Sequence, residues 1–187
     1  MSSTLLYADA APAGAGSVRP LGAARVVAED GAMLALACVL GIVESWIPSP
    51  VPGIRLGLAN AAVLVVLLRG GWVRAVRVSL VRVAIVGVAT GTLLGPVSAL
   101  SLAGAAASVV CMALAARLGV LSTLGISVAG AFSHVAAQLV TASVLVASGA
   151  VAALATPALL ASLPLGLVTG SVAGVLISRL GRICRRA

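Results

Sequence analysis

Glu44, Arg55, Asn60, Arg82, His134 and Gln138 are the residues whose types could hold a ligand, because each brings charge or hydrogen-bonding capacity into or beside a long apolar run. Inside hydrocarbon such a group costs on the order of a few kcal/mol unless it is paired, hydrated or used. Arg82 weighs most. A guanidinium in the middle of an apolar run cannot reach the interface along its own stem, so it must meet an anion, a cage of carbonyls or water. An outward-opening cavity lined by Arg82, His134, Gln138 and Asn60 would suit an anionic or polar ring ligand, with Asn60 and Gln138 orienting it. The same residues also admit a structural reading: Glu44 and Arg55 as an interfacial ion pair, Arg82 paired with Glu44 or with helix-end carbonyls, Asn60 and Gln138 as packing hydrogen bonds, and His134 as a satisfied core histidine. From the residues alone both readings stand.

Several chemistries are excluded. Four acidic residues and no D-D-x-x-D leave nowhere to hold a magnesium–diphosphate cluster, so prenyl transfer by this chain alone is not expected. There is no G-x-x-x-x-G-K-[ST], which assigns any ATP-driven step to a partner. One histidine without a nearby cysteine or carboxylate makes no metal site, and Cys38, Cys111 and Cys184 have no C-x-x-C spacing. No cofactor, metal or catalytic constellation is expected.

The elements that must position these residues are membrane helices. The composition is 61% apolar and 9% charged with mean hydropathy +1.24, whereas a soluble domain carries roughly a quarter charged residues. The net charge of +8 comes from twelve arginines and no lysine. With aromatics at 2%, those arginines lack the stacking partners of a nucleic-acid surface, so they read as topology.

A crossing needs about 20 predominantly apolar residues. Runs ended by charge, Pro or Gly predict an all-α integral membrane protein, a six-transmembrane-helix bundle: 31–46, a short 56–68 that tilts or thins the bilayer, 72–90, 99–118, 123–147 and 151–180. Residues 1–30 read as a flexible cytoplasmic leader, 31–180 as the membrane domain and 181–187 as a basic cytoplasmic tail. With the N-terminus inside, Arg19, Arg25, Arg69, Arg74, Arg77, Arg117, Arg179, Arg182, Arg185 and Arg186 all fall on the cytoplasmic side, and the opposite connections near 91–97 and 147–157 hold no charge. Both termini are expected in the cytoplasm, the protein in the cell membrane. Arg55 alone lies outside, close to Glu44, within a stiff Pro48-Ser49-Pro50-Val51-Pro52-Gly53-Ile54-Arg55 loop that could act as a lid. Small residues four apart in the first run, Gly31/Ala35 and Ala37/Gly41, allow close approach of another helix, in this chain or in a partner.

Glu44-Ser45-Trp46-Ile47-Pro48, followed by Pro52-Gly53-Ile54-Arg55-Leu56-Gly57-Leu58-Ala59-Asn60, resembles the signature segment of the heptaprenyl diphosphate synthase component I family, also called Gx transporter proteins. Leu100-Ser101-Leu102-Ala103-Gly104 and Gly130-Ala131-Phe132-Ser133-His134-Val135-Ala136-Ala137-Gln138 are similar to the same family, over about Gly31 to Leu180. Arg55 stands where that family often has lysine, keeping the charge but changing the donor geometry. The family name implies a non-catalytic partner of a soluble prenyl diphosphate synthase. Its six-helix pattern is similar to the substrate-binding S components of energy-coupling factor transporters, which take up vitamins and dock on a transmembrane coupling protein with ATPases. The resemblance, with the candidate cavity, leads to the expectation of a membrane-embedded component that binds a small vitamin-like or isoprenoid-related molecule for uptake. The alternative is a scaffold for a soluble prenyltransferase subunit. A channel is disfavoured, since no polar stripe follows one helix from end to end.

Overall fold

The computed structural model describes residues 22–46, 55, 57–146 and 150–186. They form six helices in chain order: α1 (Ala23–Trp46), α2 (Asn60–Gly70), α3 (Trp72–Ala89), α4 (Pro96–Leu118), α5 (Thr123–Val146) and α6 (Ala150–Arg186). No strand occurs among the described residues. Four of the helices, α1, α4, α5 and α6, are long and apolar enough to cross a membrane.

The boundaries differ from the sequence expectation in ways with physical causes. α1 begins at Ala23, so 23–30 is helix and not leader; its first turns are fixed by Glu29 on Arg69 and by Asp30, which takes Arg74 Nε at 2.9 Å and Nη2 at 2.5 Å. α4 begins at Pro96, not after it: proline has no amide to lose at a first helical position and its φ suits one. α4 ends where Gly119 turns left-handed at φ 66°. α6 runs through Arg186, into the stretch expected to be a tail.

The largest difference is α2. It starts at Asn60, not Leu56, and its 11 residues extend about 16 Å, roughly half a hydrocarbon core. Residues 60–67 are all buried, and α2 packs against each of the other five helices. A helix apolar on every face belongs inside protein, and Asn-Ala-Ala-Val-Leu-Val-Val-Leu-Leu is such a helix. Its shortness is therefore met by enclosure in the bundle.

Around it, α3 turns Ala75, Val78, Ser79, Arg82, Val83 and Val86 inward, the i, i+3, i+4 spacing of one face. The α1 pair Ala37/Gly41 is used within this chain: Ala37 is fully buried with Ala59 and Ala62, and a Cβ on Gly41 would come 3.1 Å from Val86 Cγ2. Gly31 has open space beside it and Ala35 is exposed. α5 and α6 pack most closely. A Cβ on Gly166 would sit 2.8 Å from Val128 Cα, one on Gly170 would sit 2.8 Å from Ser127 Cβ, and Ser127 Oγ meets Thr169 Oγ1 at 2.8 Å. In lipid such approach supplies the packing that hydrophobic burial cannot.

Candidate functional site

The site grows from two short tethers on the strand of chain that enters α2. The Gly57 N–H donates to Glu44 Oε1, on the last turns of α1. The Arg55 N–H donates to Gln138 Oε1 of α5, at 2.9 Å. Gly57 sits at φ 90°, in the left-handed region that favours glycine, and a Cβ there would lie 2.8 Å from Asn60 Nδ2. The Gly57 carbonyl then accepts the Asn60 N–H at 2.9 Å, opening α2. The entry to α2 is thus pinned to α1 on one side and α5 on the other.

Gln138 also reaches back one turn: its Nε2 meets His134 Nε2 at 2.9 Å, the i, i+4 contact of one helix face. Gly104 of α4 makes room for both, since a Cβ there would stand 2.9 Å from Gln138 Cγ and from His134 Cε1. From α3, Arg82 faces in with 6% exposure and an Nε that has no hydrogen-bond partner.

These elements line a small, partly open cavity of about 10 Å³, whose polar wall is Glu44, Arg55, Arg82, Ser101 and His134, with Val83 and Val86 on its apolar side. That volume holds about one water-sized body. Of the residues singled out from sequence, Glu44, Arg55, Arg82 and His134 line the cavity together. Gln138 acts through Arg55 and His134. Asn60 lies under Gly57, away from the cavity wall, with both amide atoms unpartnered. The lid expected over 48–54 lies outside the described residues.

The ion pairs expected on the structural reading do not form. Among the described residues the salt bridges are Arg69–Glu29 and Arg74–Asp30, and none joins Glu44 to Arg55 or Arg82. Burial pushes the Arg55 guanidinium below the ordinary arginine value, with Glu44 acting in the opposite direction. Sequence reasoning missed Ser101, a serine in an apolar helix that is 5% exposed and whose buried hydroxyl is unpartnered. It also gave no role to Gly57 and Gly104, whose sequence signal is their place in the family-like segments with Asn60 and Ser101.

With this geometry in hand, the comparison with known families is decisive for kinship. Residues 33–179 match the profile of the family described as heptaprenyl diphosphate synthase component I. The chain belongs to that family. No curated protein and no solved structure matches it. The segment shared with the component I family takes in Glu44, Arg55, Arg82, Ser101, His134 and Gln138, so the cavity lies wholly within it.

Proposed function

We propose that the chain is the non-catalytic membrane component of a prenyl diphosphate synthase assembly, holding a soluble synthase subunit at the cell membrane through its arginine-bearing cytoplasmic side. The match of residues 33–179 to the component I family carries this reading. The acidic side chains among the described residues support the division of labour: Glu29 and Asp30 are committed to Arg69 and Arg74, and Glu44 to the Gly57 amide. Metal-assisted diphosphate chemistry then falls to the partner. In this reading α1 to α6 give six crossings with both termini cytoplasmic, α2 making the second together with the residues that enter it.

One observation favours a second reading, a small-molecule-binding component of an uptake system akin to energy-coupling factor S components. Arg82 and Ser101, buried side chains with unpartnered polar atoms, line one cavity together with His134, and a scaffold has no use for such a group.

Co-expression separates the readings. Purified from membranes beside a soluble prenyl synthase, the chain should retain it and shift prenyl synthase activity to the membrane fraction. Retention of an ATPase pair and a transmembrane coupling protein, with no synthase, overturns the first reading in favour of the second.

A further inference from the structure

The hydrogen bonds around Gln138 determine where the proton sits on His134. The Arg55 amide can only donate, so the Gln138 atom that meets it at 2.9 Å must be the oxygen. The other terminal atom is then the amide nitrogen, which can only donate, so His134 Nε2, 2.9 Å away, must accept. An imidazolium would oppose two donors there. His134 is therefore neutral with its proton on Nδ1, and that Nδ1–H is buried without a hydrogen-bond partner. The Gly104 main chain is at most a weak hydrogen-bond partner of the ring, outside ordinary geometry.

Two more donors in the same enclosure are unsatisfied: Arg82 Nε and Ser101 Oγ. His134, Arg82 and Ser101 are each more than nine-tenths buried. The cavity's charge is unbalanced as well, since Arg55 and Arg82 line it against the single carboxylate of Glu44, whose Oε1 is turned to Gly57. Buried donors left unmade and an excess of one positive charge are both costly. Both are offset by one bound negative charge.

We propose that this cavity is a binding site for a single small monoanion, a halide ion or the carboxylate of a small organic acid, held by Arg82 Nε–H and Ser101 Oγ–H beside the His134 ring. The class follows from size and charge. The cavity, about 10 Å³ and partly open, seats one small charged group, with the remainder of an organic acid at its open side, and one excess positive charge matches one negative charge. A diphosphate, larger and multiply charged, fits neither. The proposal rests on the cavity's being a ligand site and is independent of which protein the chain docks with.

The histidine is unique in the sequence, so ¹⁵N-histidine labelling reports on this one ring. The full chain, purified in detergent with a histidine-free tag, would be kept in gluconate and titrated at constant ionic strength with chloride, formate, acetate and inorganic pyrophosphate. The expected result is an Nδ1–H tautomer whose signals move saturably with chloride, formate or acetate and not with pyrophosphate. Chloride alone would assign a halide, formate or acetate alone a carboxylate. Arg82→Gln should weaken the response about tenfold or more, the loss of a charge-assisted buried contact. Ser101→Val, which fills volume and keeps every charge, should weaken it too and decides the matter if Arg82→Gln does not fold. A flat titration for every anion means the cavity holds water and overturns the proposal, as does a saturable response unchanged in Ser101→Val, or one to pyrophosphate. Loss of synthase binding in the co-expression experiment would leave these outcomes unaffected.

Discussion

Gln138 and His134 stand one turn apart on α5 with 2.9 Å between their terminal nitrogens, and the oxygen of the same Gln138 side chain is already taken by the Arg55 amide. One buried amide thereby ties a connecting segment to a helix and sets the tautomer of the chain's one histidine. Gln138→Leu removes both contacts while keeping the volume close. It leaves the Arg55 N–H and His134 Nε2 without partners, and each buried unmade group costs about 1–3 kcal/mol. A lowered unfolding temperature in detergent is expected, together with an Nε2–H population in the ¹⁵N spectrum. An unchanged tautomer in Gln138→Leu would mean that Gln138 does not set it.

Gly57→Ala tests the turn that opens α2. The residue sits at φ 90°, and the new methyl would also lie 2.8 Å from Asn60 Nδ2. Left-handed backbone alone costs an L-residue about 1–2 kcal/mol. Gly91→Ala is the matched control, since Gly91 has φ 68° with open space beside it. Thermal unfolding should therefore find Gly57→Ala less stable than Gly91→Ala, by the crowding against Asn60. Equal losses would reduce the role of Gly57 to backbone strain.

How far the sequence could carry the architecture depended on whether the signal was local. Long apolar runs with breakers announced α1, α4, α5 and α6, because length and composition are the crossing requirement. For α2 the same rule gives a short span from Leu56, whereas the helix begins at Asn60 and its place in the fold is the centre of the bundle. Enclosure by five neighbours leaves no periodicity in an already apolar stretch. Arg82, His134, Glu44 and Arg55 were legible as site residues because charge in apolar context is rare. Ser101 was not, since serine is common in membrane helices and only convergence with Arg82 and His134 gives it meaning. Glu29 and Asp30 were read as leader; their partners lie on α2 and α3, far along the chain.

The α5–α6 contact makes a sharper prediction about packing. Gly166 and Gly170 face backbone atoms, Val128 Cα and Leu124 Cα, which cannot step aside as a side-chain tip can. Gly170→Leu should separate the helices and break the Ser127–Thr169 hydrogen bond of 2.8 Å, appearing as aggregation on size-exclusion chromatography. Gly174→Leu, where open space awaits the side chain, should elute as the wild type does. If both variants elute alike, the close approach is not what holds α6 in place.

The two ion pairs at the far end from the cavity make a prediction about salt. Asp30 receives both Nε and Nη2 of Arg74, a forked arrangement with side chains 20% and 27% exposed. Partial exposure screens the pair, so the coupling expected from a double-mutant cycle of Asp30→Asn and Arg74→Gln is modest, about 0.5–1 kcal/mol. It should shrink as ionic strength rises past about 0.15 M. Because the pair fastens the start of α1 to the start of α3, its loss should raise hydrogen exchange over residues 23–30 before it affects the cavity. Exchange that rises instead around residues 55–60 would mean that the two ends of the bundle are coupled through α2, which packs against both α1 and α3.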